Sequence, residues 1–162
     1  MIHFFLLISR QGKVRLAKWY TPTPQKDRSR DAREVTSLVL HRAPKLCNVL
    51  EWREQKLIYK RYGPTISRRM PIRYASLYFV CCVDSTDNEL IVLETIHHFV
   101  EMLDRYFGNV CELDLIFNFH KAYYILDEVL IGGELQETSK RSILKLVAAQ
   151  DQLMQEAESG KK

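Results

Sequence analysis

Two apolar runs constrain this chain more than any other feature. Ile2-His3-Phe4-Phe5-Leu6-Leu7-Ile8 and Ala75-Ser76-Leu77-Tyr78-Phe79-Val80-Cys81-Cys82-Val83 contain no Lys, Arg, Asp or Glu. The longer run is about half of the roughly 18 residues that a membrane-spanning helix needs. Short, nearly continuous apolar runs of this kind read as strands buried inside a sheet, and the second is apolar enough to lie centrally. Strands so placed need neighbours. Arg10-Gln11-Gly12-Lys13 supplies a turn, and Val14 to Tyr20 roughly alternates, which gives a β-hairpin. Val49 to Trp52 and Lys56 to Tyr62 form two more strands, joined at Arg53-Glu54-Gln55. With Ala75 to Asp84 the sheet has five strands.

Between the hairpins, Thr21-Pro22-Thr23-Pro24 breaks the strand pattern, and Ala32, Val35, Leu38 and Val39 recur at helical spacing within Asp27 to Arg42. Three helices close the chain. Thr86-Asp87-Asn88-Glu89 has capping-box spacing ahead of Leu90 to Phe107, where Leu93, Ile96, Phe99, Val100, Leu103 and Phe107 share a face and Gly108 ends the helix. A second helix is expected from Glu112 to Ile131, closed by Gly132-Gly133. The third starts near Thr138 or Ser139, with Ile143, Leu146, Val147, Leu153 and Met154 on one stripe. The order is ββαβββααα, and the hairpins imply antiparallel pairing. The expectation is a two-layer α+β domain over residues 1–155, with a frayed tail at 156–162.

At 162 residues and 46% apolar, the chain can bury one core but not two ordinary ones. Charge is unevenly spread: residues 1–74 carry 17 Lys/Arg against 5 Asp/Glu, and residues 75–162 carry 7 against 15. A positive and a negative face are expected. A nucleic acid, an anionic membrane or an acidic peptide could use the positive one, although solvated charge with no dedicated partner accounts for the asymmetry better. The N-terminus has no basic stretch and no small-residue cleavage site, so a cytoplasmic setting is expected. Cys47, Cys81, Cys82 and Cys111 show no CxxC spacing, and reduced, buried thiols are expected.

No catalytic set assembles on paper. Gly132-Gly133 is not followed by the Gly-Lys-Ser/Thr of a phosphate loop, and neither GxSxG nor HExxH occurs. His97 and Glu101 are one helical turn apart, but no third ligand stands at a telling spacing. Asp127 and Glu128 diverge by about 100° around a helix and would not flank one substrate. Tyr59-Lys60-Arg61-Tyr62 has the residue types of a base-stacking surface, yet alternation places its two tyrosines on opposite faces, where core packing explains them better. Neither an enzyme, a metal, a cofactor nor a nucleic-acid partner is expected.

Longer strings are more specific. Leu6 to Leu16 with Lys18-Trp19-Tyr20, Leu50-Glu51-Trp52-Arg53, Tyr59 to Tyr62, Leu103 to Gly108, Val110 to Phe119 and Ala122 to Glu128 resemble the small, or sigma, subunits of clathrin adaptor complexes. The resemblance covers about residues 1 to 155 and is greatest to the trans-Golgi/endosomal adaptor of plants. Its nearest rivals are small subunits of other adaptor or coatomer-type coats. It implies a longin-like fold, a five-stranded antiparallel sheet with helices on both faces. It also implies a heterotetramer with a large gamma-type chain, a beta chain and a mu chain, working on coated vesicles at the cytoplasmic face of the trans-Golgi network and endosomes. By the same resemblance, the gamma-type and sigma chains bind cargo tails carrying an acidic residue, three arbitrary residues, then Leu and a second Leu or Ile. Matching positions for the leucine slot are Ala75, Leu77, Val100, Asn109, Val110, Leu113 and Leu115, and Arg15 matches the basic residue near the motif's acidic side chain. Core packing explains each apolar one equally well.

Where the family runs from Tyr62 straight into Ala75, this chain inserts Gly63 to Tyr74, with two prolines, one glycine, three arginines and no acid. The insert should loop out of the hairpin, and 12 extra residues cost only about 1–2 kcal/mol in loop closure, so folding should survive. Met70 and Ile72 lie within a few residues of Ala75 and Leu77, where they would compete with cargo at high effective concentration. Deleting residues 63–74 is therefore expected to tighten a dileucine peptide, as read by calorimetry. Unchanged or weaker binding would rule out that competition.

Overall fold

The computed structural model describes residues 1–43, 45–63, 77–135 and 140–159. Strands β1 (Ile2–Ser9), β2 (Val14–Trp19), β3 (Val49–Trp52), β4 (Gln55–Tyr62) and β5 (Leu77–Asp84) form one sheet in the order β2-β1-β5-β4-β3. Every neighbouring pair is antiparallel. The two apolar runs take inner positions, as their composition requires. Helix α1 (Gln25–Leu40) follows β2, and α2 (Glu89–Phe107), α3 (Glu112–Phe117), α4 (Phe119–Val129) and α5 (Lys140–Ser159) follow β5.

Alternation along β1 and β5 builds two separate cores. Phe4, Leu6, Ile8, Val80 and Cys82 pack with Val35 and Val39 of α1. Phe5, Leu7, Phe79, Cys81 and Val83 pack with Ile96, Phe99 and Leu103 of α2, Ile125 and Leu126 of α4, and Ile143 of α5. The sheet is thus a middle layer, with α1 on one face and the later helices on the other. Hairpin logic alone suggested two layers; helices on both faces, as the family resemblance implied, are what is found. The adjacent thiols of Cys81 and Cys82 divide between the cores, and burial raises both, that of Cys82 to about 12. Cys47 departs from the buried-thiol expectation and is exposed, and Cys111 is half-buried.

Four expected features differ in detail. The helix expected over Glu112 to Ile131 is two helices, interrupted at Asn118, whose φ of −123° and ψ of 38° leave the helical region. Asn is a weak helix former, and here its N–H closes α3 on the Asp114 carbonyl at 2.8 Å while its carbonyl accepts from Lys121 at 3.0 Å. Gly132-Gly133 ends no helix. It turns the hairpin between β6 (Leu130–Ile131) and β7 (Glu134–Leu135), with φ of 60° and 82°, values that two successive glycines adopt without strain. A Cβ on Gly133 would also lie 2.4 Å from the Ile2 carbonyl oxygen. At the start of α2 the N-cap is Asn88, two residues after the Thr86 of the expected box, and it accepts from Leu90 N at 3.0 Å. The tail expected to fray from Glu156 is helical, though exposed, as far as Ser159.

The later helices are pinned by polar contacts. Tyr123 Oη on α4 accepts from Ala17 N at 3.0 Å and donates to Ala17 O at 3.1 Å, occupying the open edge of β2 at that residue. Asp151 of α5 accepts from Tyr106 Oη of α2 at 2.7 Å and pairs with the Lys121 ammonium of α4. Burial alone would raise the Asp151 carboxyl. Lys121 and Tyr106 outweigh it and hold the group below its ordinary value of 3.8, while burial and Asp151 push Tyr106 up to about 12. A carboxyl depressed in the folded state stabilises fully above its unfolded pKa, and the contribution is lost as pH falls through the folded value. Asp151→Asn is expected to cost about 1–2 kcal/mol at neutral pH and to flatten the acid limb of stability. Urea titrations at pH 7 and in acid would check this; equal losses at both would contradict the linkage.

Candidate functional site

Arg15 owes its position to an irregularity in β2. Leu7 pairs with Leu16 and Ile8 with Val14, so Arg15 has no partner on β1. An extra residue of this kind bends a strand and re-aims a side chain. Arg15 reaches the first turn of α3, where Nε donates to Glu112 Oε1 at 2.8 Å and Nη2 lies 2.7 Å from the same oxygen.

The connection from α2 to α3 is set by backbone sign. Gly108 and Asn109 both have positive φ, 66° and 70°. Gly108 takes that conformation freely, and Asn is among the few other residues that tolerate it. Asp104 holds the turn. Its carbonyl accepts from Gly108 N at 2.8 Å and Asn109 N at 3.2 Å, and its Oδ1 accepts from Val110 N at 3.0 Å. Tyr62 Oη, from the end of β4, donates to the same carboxylate at 2.7 Å. Burial and that carboxylate push the Tyr62 hydroxyl up to about 12, so it stays protonated and donating. The chain then enters α3 through a capping box in which Asp114 Oδ2 accepts from Cys111 N at 2.9 Å.

Among the residues matched to a leucine slot, Leu77 at the start of β5, Val100 on α2, Val110 after the turn and Leu115 on α3 belong to one core, each at most 6% exposed. Leu113 does not join them. It is 61% exposed, since two residues along a helix turn a side chain by about 200° from Leu115. Asn109 is exposed beside the turn. Ala75 and all of the insert beyond Gly63 lie outside the described residues. Sequence reasoning did not single out Glu112 or Asp104, and it weighed Tyr62 only for base stacking. Their roles come from contacts between distant segments, and no spacing signals those.

Other chemistry does not assemble. His97 Nε2 lies 3.9 Å from Glu101, but its Nδ1 faces the Lys60 ammonium at 3.0 Å, a cation where a metal site would need another ligand. Among the described residues, no three His, Cys, Asp or Glu are grouped to hold a metal, and no helix is long and apolar enough to cross a membrane. Asp127 pairs with Lys18 at 2.9 Å. Tyr59 is buried against α1 and Tyr62 packs on the opposite core, so neither offers a free ring for base stacking.

The five-stranded antiparallel sheet with helices packed on both faces is a longin-like architecture. The comparisons agree: the family model for the clathrin adaptor complex small chain matches residues 1–154, and the chain belongs to that family. It is 62% identical over 157 residues to AP-1 complex subunit sigma-1 of Arabidopsis thaliana, covering 97% of this chain and 90% of the relative. It is 64% identical over 153 residues to AP-1 complex subunit sigma-2 of Dictyostelium discoideum (94% and 92%), and 55% identical over 159 residues to AP-1 complex subunit sigma-1A of Homo sapiens (98% and 93%). In structure it resembles a chain of a homology model of the full-length AP-3 complex in a stretched open conformation, with a TM-score of 0.71, 28% identity and 99% coverage of both chains. The chain is a non-catalytic small subunit of an adaptor complex.

Because Asp104 satisfies donors from two segments, Asp104→Ala would leave Val110 N and Tyr62 Oη without their acceptor. The expected loss is about 2–4 kcal/mol, measured by urea denaturation. Tyr62→Phe should cost about 1 kcal/mol and leave the turn intact. Equal losses would argue against Asp104 as the shared acceptor.

Proposed function

We propose that this chain pairs with a large gamma-type adaptin, beside beta and mu chains, in a heterotetramer at the cytoplasmic face of the trans-Golgi network and endosomes, and that this pair binds dileucine sorting signals for clathrin-coated vesicles. The observation that carries the cargo reading is the meeting of Arg15, re-aimed by the β2 irregularity, with α3, whose Leu115 shares a core with Leu77, Val100 and Val110. In the proposal these apolar residues, with Ala75, Asn109 and Leu113, take the two leucines, and Arg15 takes the acidic residue. Burying a leucine side chain stabilises by roughly 1.5–3 kcal/mol, and a guanidinium adds a charge-assisted contact.

A large partner chain is supported by unspent apolar surface. Leu90, Ile91, Phe117, Phe119, Ile131 and Leu153 are each more than half exposed. Leu146, Leu153 and Met154, expected on the buried stripe of α5, are open too, while Ile143 and Val147 are buried. A lone chain this size gains nothing from such residues outside; a subunit covered by a permanent partner does.

Two measurements test the reading. Tagged chain should co-purify gamma-type, beta and mu chains from cells, and recovery of none would overturn the assembly. Val100→Asp places a carboxylate in the apolar core at a cost of several kcal/mol unless it protonates. In assembled complex it should abolish dileucine binding while tyrosine-motif peptides, read by the mu chain, still bind; equal loss of both would mean unfolding.

A further inference from the structure

In the free chain, the guanidinium assigned above to the motif's acidic residue already holds a carboxylate. Arg15 Nε and Nη2 both converge on Glu112 Oε1, at 2.8 and 2.7 Å. The pair is mostly enclosed, with side-chain exposures of 27% for Arg15 and 15% for Glu112. Glu112 has no part in capping α3, a task that falls to Cys111 and Asp114. Among the described residues its carboxylate is given one partner, Arg15.

We infer that Glu112 is an internal stand-in for the acidic residue of a dileucine ligand and sets how strongly the site rewards that residue. This rests on the dileucine reading. An incoming carboxylate must either displace Glu112, leaving a half-buried anion without its cation, or share one guanidinium with it at close range. Both outcomes weaken the acidic contact, by displacement in the first case and by like-charge repulsion in the second. The leucine half of the site, formed by Leu77, Val100, Val110 and Leu115, is untouched by either. Glu112 therefore acts on the acidic position alone, as a selectivity residue.

The test uses complex assembled with the large chain and two peptides, Glu-x-x-x-Leu-Leu and Gln-x-x-x-Leu-Leu, with affinities from calorimetry. Glu112→Gln should tighten the acidic peptide roughly threefold to tenfold, the scale of one partly exposed ion pair, and leave the neutral peptide unchanged. Arg15→Ala should erase the difference between the peptides. Equal tightening of both would mean that the substitution loosened α3 and would overturn the inference. Weaker or unchanged acidic binding would overturn it too, assigning Glu112 a role in positioning Arg15 or none. Failure of unsubstituted complex to bind either peptide would instead overturn the dileucine reading beneath it.

Discussion

The fold depends on a pair of strands that have no polar side. β1 and β5 lie at inner positions and present apolar residues in both directions, so neither face of the sheet can be left to water. Phe4, Phe5, Leu6, Leu7 and Ile8 are five successive residues at 2% exposure or less. Transfer of each from water stabilises by roughly 1.5–3 kcal/mol, which outweighs any local preference of the segments around them. Helix α1 covers one face with Val35 and Val39, and the helices after β5 cover the other. An antiparallel sheet with one wet face would need alternating strands, and the central ones do not alternate.

Strict alternation is broken in two places, and each break has a consequence. Between Ile2 and Phe4 the register to β5 shifts, so Ile2 joins the core of the later helices although Phe4, Leu6 and Ile8 join that of α1. A one-residue shift reverses which face a side chain meets. Ile2 also donates from its N–H to the Gly133 carbonyl at 3.1 Å, which ties the strand's start to the glycine hairpin. The second break isolates Arg15 and turns it toward α3. The same kind of defect thus anchors one end of β1 and supplies the charged member of the candidate site near the other.

What was legible in the sequence follows from this. The five strands, α1 and α2 announce themselves through runs and periodicities that span many residues, and Gly108 marks the end of α2 through a backbone conformation that glycine reaches without strain. The break at Asn118 was not legible, because Leu115 and Ala122 sit seven residues apart and fit one straight helix as well as two. Gly132-Gly133 was ambiguous between a helix stop and a two-residue hairpin, since both require positive φ. At the site, Leu77, Val100, Val110 and Leu115 came from the family resemblance, and composition alone could not separate them from core. The ladder offset that frees Arg15 left no mark in the local pattern.

The charge asymmetry has a structural use that net charge conceals. Basic residues of the first half meet acidic residues of the second across the boundary between sheet and helices: Arg15 with Glu112, Lys18 with Asp127 at 2.9 Å and Lys56 with Glu89 at 3.0 Å. These pairs join β2 to α3 and α4, and β4 to α2. Partly exposed pairs add little stability singly, but a helix that slides along the sheet must break its pair and gains no other, so they fix position more than energy. Part of each half's charge is therefore spent on the other. On α1, Arg28 and Arg33 bond to backbone carbonyls, and neither has a carboxylate partner among the described residues. Glu112 and Asp127 of the acidic half meet β2, the sheet edge that carries Arg15. There, under the proposal above, an incoming carboxylate would have to compete with Glu112 for one guanidinium.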